Sequence, residues 1–215
     1  MCDSALRESL LSIYFKSMIE TAGFVTAGGL SSRMAKDKAW LDLGGQSMIE
    51  RVIRALTPVT ANVSIIANDP AYSQLGLPVF VDKLKGIGPL EAIRTALTNT
   101  HFRQVLLVGC DLPFVTPELF GYLLRVQDND QIVVPVGPDA QLEPLCAIYC
   151  KEVLPRVDDL IESGERKIRN LFAMAATRVV AFKELQHLPG SDLFFENVNT
   201  PSDYLRAQEK LQRLT

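Results

Sequence analysis

The stretch "GFVTAGGLSSRMAKDKAWLDLGG", residues 23–45, joins a short apolar run to two adjacent glycines and then to three cations. The apolar run is typical of a buried β-strand. Gly28 and Gly29 follow it directly, and without a Cβ the backbone can turn sharply there and approach a ligand. The planar fork of Arg33 and the compact charge of Lys38 suit phosphate oxygens. The stretch therefore predicts a strand followed by a phosphate-binding turn, with an ordinary glycine turn as the alternative.

The composition is that of an ordinary globular protein, with 47% apolar and 22% charged residues. The length of 215 residues favours one α/β domain over residues 21–215. Residues 1–20 are expected to form an extension, either a short added helix or an overextended start. The net charge of −3 argues against a general binder of nucleic acid or anionic membranes. A polyanionic ligand must therefore be bound by a local cluster of cations.

The four cysteines form no CxxC pair, and with two histidines in the chain they make a poor zinc set. We expect reduced thiols in a cytoplasmic protein. No apolar run approaches the roughly 18 residues that are needed to span a bilayer. The first residues also lack the basic start of a signal peptide. The sequence thus predicts neither a membrane protein nor a disulfide scaffold.

Short β-like runs alternate with helical patterns along the chain. The runs are rich in Val and Ile and lie at residues 23–27, 62–68, 78–82, 104–111 and 131–136. Apolar spacing or N-cap signals predict helices within residues 47–56, 88–97, 116–124 and 200–211. This alternation predicts a mostly parallel sheet that is covered by helices. In such sheets, ligands bind beyond the carboxyl ends of the strands.

Polar side chains stand at three of the predicted strand ends. Asp111 closes the run "QVLLVGCD" and precedes Pro113, while Asn68 and Asp82 end two other runs. Carboxylate oxygens, together with substrate phosphates, are the ligands that Mg²⁺ prefers. The alternative for all three residues is a role in turns, which Asp and Asn also favour. We expect Asp111 to be the metal ligand of this group.

Several other chemistries find no matching motif. The chain has no Gly-Lys-Ser/Thr ending of a Walker loop and no GxSxG elbow. The segment "GIGPLEA" begins like a dinucleotide fingerprint but has Glu91 in place of the third glycine. We interpret it as a flexible entry to a helix N-terminus that is available to a second anionic group. The paired acids Asp158 and Asp159 are expected on a solvated helix face.

Taken together, these residues resemble the MobA-like family of molybdenum cofactor guanylyltransferases, within the nucleotidyltransferase superfamily. The resemblance covers nearly everything from about residue 20 onward. Its markers are "TAGGLSSRMAKDKAWLDLGGQSMIERV", "GPLEAI", "VLLVGCDLPF", "EPLCAIY" and "FENVNTPSDY". It implies a three-layer α/β/α fold with a Rossmann-like, mostly parallel but mixed sheet of the nucleotide-diphospho-sugar transferase type.

The resemblance also implies roles for individual residues. Those matching the family's GTP-binding positions are Thr26, Ala27, Gly28, Lys38, Asn68 and Asp82. Asp111 matches its contact to Mg²⁺ and the nucleotide, Arg33 its signature arginine, and Asn199 a recurrent asparagine near the pterin. The chain departs from the family pattern at Thr26, where Leu is common, and at Ala35, where Gly is common. The second change implies a different loop conformation if the usual glycine takes a positive φ.

The implied reaction transfers GMP from GTP to the terminal phosphate of molybdopterin, or of its metal-loaded form, with loss of pyrophosphate. Such a reaction needs fixed cations and Mg²⁺ but no protein nucleophile, in agreement with the residues found. Transient contact with proteins that deliver the cofactor or receive it, such as apo-molybdoenzymes, is also implied. The alternatives are molybdopterin cytidylyltransferase or another small-molecule cytidylyltransferase, and a non-catalytic nucleotide-binding or scaffolding protein.

Overall fold

The structure is a computed structural model, and it describes residues 20–28, 37–84 and 86–213. Its strands form one seven-stranded sheet in the order β3-β2-β1-β4-β6-β5-β7. In chain order they are β1 (Thr21–Thr26), β2 (Asn62–Ile66), β3 (Val79–Phe80), β4 (Gln104–Gly109), β5 (Ile132–Pro135), β6 (Cys146–Cys150) and β7 (Thr177–Val180). The predicted extension over residues 1–20 lies almost entirely outside the described residues.

The sheet is mixed because one strand runs against the others. β1 pairs in parallel with β2 and β4, and Phe24 stands opposite Leu107 in the register of β1 and β4. β6 pairs antiparallel with both β4 and β5, and Leu106 stands opposite Ile148. The five predicted runs each overlap a strand, whereas β6 and β7 were not predicted. The expected mostly parallel but mixed sheet is confirmed.

Helices cover the sheet, and the four that were predicted begin where the sequence signals them. Glu50 accepts hydrogen bonds from the Ser47 backbone N–H and hydroxyl at the start of the first helix. Thr116 and Thr200 cap two others, each followed by Pro at the first helical position. The helices are α1 (Met48–Leu56), α2 (Pro89–Thr98), α3 (Pro117–Arg125), α4 (Leu154–Glu162), α5 (Arg169–Met174), α6 (Phe182–Leu185) and α7 (Pro201–Gln212). Among the described helices, none is both long and apolar enough to cross a bilayer.

Two hydrophobic cores lie on opposite faces of the sheet. Side chains alternate between the faces along each strand, so that Val25 and Leu106 enter one core while Phe24 and Leu107 enter the other. The first core includes residues of α1 and α3, and the second includes residues of α2, α4 and α5. Because both faces are buried, the strands read as continuous apolar runs. The layers are those of the expected three-layer α/β/α fold.

The last helix, α7, packs against the segment that follows the glycine-rich turn. Ala207 lies in a small core with Leu43, Met48 and Phe114. The Tyr204 hydroxyl donates a hydrogen bond to the backbone carbonyl of Asp42. This packing brings the chain just before α7 to the carboxyl end of β4.

Candidate active site

A cavity of about 700 Å³ opens at the carboxyl ends of β1, β2 and β4. Its lining includes all the described residues that were matched to GTP-binding positions, namely Thr26, Ala27, Gly28, Lys38, Asn68, Asp82 and Asp111. The parallel strands account for this convergence, since their carboxyl ends meet at one edge of the sheet. Gly29 and Arg33, which were also predicted as ligands, lie outside the described residues.

The turn after β1 presents its backbone to the cavity. The Ala27 N–H donates to the Ile66 carbonyl at 2.9 Å, and the Thr26 carbonyl accepts from the Cys110 N–H at 2.9 Å. These bonds hold the chain in the sheet up to its last residue. Gly28 then takes φ +80°, and a Cβ placed there would meet no heavy atom within 4 Å. A ligand can therefore approach this turn closely.

Lys38 connects two other predicted site residues. Its ammonium Nζ lies 2.9 Å from Asp111 Oδ2 and 2.6 Å from Asn199 Oδ1. The Lys38 side chain is 14% exposed, so the charge is largely covered and is balanced by the carboxylate. We call Lys38 and Asp111, which line the cavity, together with Asn199 at its border, the charged wall.

The Asp111 carboxylate depends on a close approach to the backbone of β4. A Cβ on Gly109 would stand 2.4 Å from Asp111 Oδ1, so glycine is what leaves room for the carboxylate. Lys38 binds Oδ2, whereas Oδ1 accepts no hydrogen bond from the described residues. Within this part of the chain, no three His, Cys, Asp or Glu residues are grouped to hold a metal by themselves. Asp111 thus fits a Mg²⁺ ion that takes its other ligands from water and phosphates.

Asn199 reaches the charged wall from the start of α7. Its backbone N–H donates to Asp203 Oδ2 at 3.0 Å, and the neighbouring Val198 N–H donates to the Asp111 carbonyl at 2.9 Å. The N-terminal cap of α7 and the end of β4 therefore fix the segment together. Asn199 does not line the cavity itself but touches Lys38 at its border.

A loop lines another side of the cavity, and residues of helix α2 support this loop through hydrogen bonds. We call its lining residues Asp82, Leu84, Gly86 and Gly88 the loop wall. The Thr95 hydroxyl donates to Asp82 Oδ1 at 2.7 Å, and Glu91 Oε1 accepts from the Leu84 N–H at 3.0 Å. Gly88 takes φ +79° and leads into α2, as expected for a flexible entry to this helix.

The electrostatics of the loop wall differ from those of the charged wall. Burial raises the pKa of the Asp82 carboxyl, and the hydrogen bond from Thr95 opposes that rise. Glu91 is 1% exposed, and Arg94 pairs with it at 2.5 Å. The loop wall therefore keeps one half-buried carboxyl with an Oδ2 that accepts no hydrogen bond from the described residues.

Three residues near the cavity were not identified from the sequence. Thr95 and Glu91 support the loop wall, but on their helix they carry no signal that separates them from ordinary helix residues. Glu143 precedes β6 at the same edge of the sheet, and burial, with Asp139 and Asp111 nearby, raises the pKa of its carboxyl to about 7. Its place could not be predicted because β6 was not.

The thiol beside the charged wall is not a nucleophile at neutral pH. Cys110 lines the cavity but is 3% exposed, and burial raises the pKa of its thiol. The other described cysteines, Cys146 and Cys150, are buried and unpaired. His101 is exposed and stacks near Phe102, away from the cavity lining. Among the described residues, the cavity thus offers one cation, two carboxylates and backbone groups rather than a covalent catalyst.

Comparisons with known proteins find relatives over most of this chain. Residues 23–180 match the MobA-like NTP transferase domain. A protein of Pelotomaculum thermopropionicum named "Probable molybdenum cofactor guanylyltransferase" is 34% identical over 89% of this chain and 93% of its own length. The molybdenum cofactor guanylyltransferase of Vibrio vulnificus is 36% identical over 85% of this chain and 92% of its own. The crystal structure of molybdopterin-guanine dinucleotide biosynthesis protein A from Archaeoglobus fulgidus superposes with a TM-score of 0.76 at 25% identity, covering 89% and 99% of the two chains.

Proposed function

The chain belongs to the MobA-like NTP transferase family, and from this premise we propose that it transfers GMP from GTP to the terminal phosphate of molybdopterin or its metal-loaded form. The observation that carries the proposal is the charged wall. Lys38, Asp111 and Asn199 come from distant parts of the chain and meet beside a glycine turn that can take phosphates. A non-catalytic scaffold would not require this arrangement.

The reaction is a displacement at the α-phosphorus of GTP. An oxygen of the acceptor's terminal phosphate forms a bond to that phosphorus, and the bond from phosphorus to the oxygen that bridges the α- and β-phosphates breaks. Pyrophosphate leaves with the electron pair. The acceptor phosphate is already ionised at neutral pH, so no general base is needed. The task left to the protein is to position two polyanions and to balance the charge that develops on the leaving group.

Lys38 is placed to balance that charge. When the triphosphate binds, its ammonium exchanges its bond to Asp111 for one to a phosphate oxygen. Asp111, released from Lys38, is the residue that would hold Mg²⁺. When bound there, the ion would supply further positive charge at the phosphates. The N–H groups around Gly28 would contact the same phosphates, and Gly29 and Arg33 remain proposed as additional phosphate ligands.

The preference for guanine is the part of the proposal that depends most on main-chain contacts. We expect the base and ribose to be bounded by the backbone of Thr26 to Gly28 and by Asn68, with Asp82 on the facing side. A pyrimidine in a pocket shaped for a purine would leave polar groups unpaired, at about 1–3 kcal/mol each. ATP would bring a donor to the position where guanine has an acceptor.

Turnover with three nucleotides tests this choice. The same molybdenum cofactor acceptor is incubated with GTP, CTP or ATP, and the dinucleotide products are quantified. We expect kcat/KM for GTP to exceed that for CTP by about 100-fold or more, because sites that bond a specific group strongly reject analogues that lack it. Comparable or faster use of CTP would assign the chain to the cytidylyl branch.

Transient contact with proteins that deliver or receive the cofactor is part of the same proposal.

A further inference from the structure

Tyr72 is a buried polar residue that the reaction itself does not use. It lies in a 3₁₀ helix, Pro70–Leu75, just after Asn68, and its side chain is fully buried. Its hydroxyl donates a hydrogen bond of 2.5 Å to Asp37 Oδ2. Burial, and then the bond to Asp37, raise the pKa of the phenol, so it remains a donor at neutral pH. The bond spans 35 positions of the sequence and joins the 3₁₀ helix that follows β2 to the segment that carries Lys38.

Asp37 is in turn the cap of the element that presents Lys38. Its second oxygen, Oδ1, accepts from the Ala39 N–H at 3.1 Å at the start of the 3₁₀ helix Lys38–Trp40. The Trp40 ring stacks on Tyr72, with 5.0 Å between ring centroids and 27° between planes. Each carboxylate oxygen of Asp37 therefore has a fixed donor, and the helix of Lys38 is held at both of its ends.

This arrangement also keeps two neighbouring opposite charges apart. Asp37 precedes Lys38 directly, and a free carboxylate there would compete with Asp111 for the ammonium. With both oxygens of Asp37 occupied by Tyr72 and Ala39, the Lys38 ammonium bonds instead to Asp111 and Asn199. The lysine side chain has four rotatable bonds, so its direction depends on such restraints.

We infer that Tyr72 is a positioning residue that acts through Asp37 to direct Lys38 into the cavity. The inference rests on the proposed function for its effect on GTP, but its structural part stands without it. Tyr72→Phe removes one oxygen and keeps the stacking on Trp40. Tyr122→Phe is the matched control, since the Tyr122 hydroxyl also donates to a carboxylate, that of Glu184, at 3.3 Å and far from the cavity.

The first experiment is a double-mutant cycle on the GTP dissociation constant, measured with Mg²⁺ and without acceptor. We expect Tyr72→Phe to weaken GTP binding about 10-fold, as for a lost bond to a charged group. In a Lys38→Ala background the same substitution should change binding less than about 2-fold, because its effect passes through Lys38. An equal loss in both backgrounds would overturn the inference. Tyr122→Phe should leave the constant unchanged.

The second experiment needs no nucleotide. The free protein is treated briefly with a lysine-acylating reagent, and modification of Lys38 is quantified by peptide mass spectrometry. We expect Lys38 to be modified several-fold faster in Tyr72→Phe than in wild type or Tyr122→Phe, since a released ammonium is more accessible. An unchanged rate would overturn the inference. If wild type failed to bind GTP while this change was seen, the proposed function would fail and the positioning role would stand.

Discussion

The two walls of the cavity are built in opposite ways. In the charged wall, the bonds of Lys38 to Asp111 and Asn199 join the residues of the wall to one another, and Lys38 and Asp111 also line the cavity. In the loop wall, the bonds that Thr95 and Glu91 make lie behind the lining residues. A ligand can replace the bonds of the first wall, whereas those of the second wall persist when it binds.

This difference predicts that the charged wall acts in the reaction, whereas the loop wall shapes the binding site. The charged wall holds its cation and its carboxylate together, so under the proposed function substitutions there should change turnover and phosphate binding. The loop wall is fixed by a helix, so substitutions behind it should loosen the nucleotide without removing the reaction. The following substitutions test this separation, beginning with the largest expected effect.

Asp111→Asn should abolish transfer while the fold persists. An amide keeps the shape of the side chain but cannot balance the charge of Lys38 or of a bound metal. We expect kcat to fall by about 100-fold or more, with little change in the unfolding midpoint. Single-turnover assays and thermal unfolding measure the two effects, and Asp159→Asn on the exposed side of α4 serves as the control. A rate within about 3-fold of wild type would contradict the metal role.

Lys38→Ala should raise the dissociation constant of GTP strongly and change the unfolding midpoint little. The lost charge-assisted contact corresponds to about 1.5–3 kcal/mol, or roughly a 10- to 100-fold higher dissociation constant. Calorimetric titration with Mg²⁺ and GTP measures the dissociation constant, and Lys183→Ala at an exposed position of α6 is the control. If the constant were unaltered, Lys38 would not be a phosphate ligand.

Thr95→Val should reduce affinity less than Lys38→Ala does and leave kcat close to wild type. Valine keeps the volume of the side chain but removes the hydroxyl that holds Asp82 Oδ1. Loss of a hydrogen bond of about 0.5–1.5 kcal/mol predicts GTP binding that is roughly 3- to 10-fold weaker. Thr57→Val, whose hydroxyl bonds only a helix carbonyl, is the matched control. A large fall in kcat without a change in KM would show that the loop wall acts in the reaction, and the two walls could then not be distinguished by their roles.

Glu143→Gln is expected to affect stability through pH, because among the described residues this carboxyl has no cation partner of the kind that Asp111 has in Lys38. Its pKa is raised from 4.5 to about 7, so its contribution to stability is present below pH 4.5 and is lost as the pH rises through 7. Glutamine cannot ionise. We therefore expect a higher unfolding midpoint for the variant at pH 8, by about 2–4 °C after allowance for partial exposure, and no difference near pH 4.5. A constant difference at all pH values would exclude ionisation as the cause.

The carboxyl edge of the sheet could be predicted because its signals are local. Buried parallel strands leave apolar runs in the sequence, and the polar residues that end them, such as Asn68 and Asp111, are adjacent to those runs. β6 and β7 were missed because they lack these local signals. β6 is rich in Cys and Ala, and β7 ("TRVV") is half exposed, so neither has the Val- and Ile-rich pattern of a buried strand.

The supports of the cavity could not be predicted, since they arise from contacts that the sequence does not place together. Thr95 meets Asp82 across 13 positions and Tyr72 meets Asp37 across 35. Neither a threonine in a helix nor a tyrosine in a short 3₁₀ helix signals such a contact in the sequence. The resemblance to the family pointed to residues most of which line the cavity, whereas the residues that support them become visible only when the chain is folded.

The bond between Lys38 and Asn199 has a consequence for the order of events during synthesis. The two residues are 161 positions apart, so the ribosome adds the second about 8–32 s after the first at roughly 5–20 residues per second. β1, β2 and β4 are all made before then. A nascent chain can therefore form the sheet and the glycine turn while the Lys38 ammonium still lacks the asparagine that completes its surroundings, and competence for the nucleotide should arise only after the segment preceding α7 has left the exit tunnel.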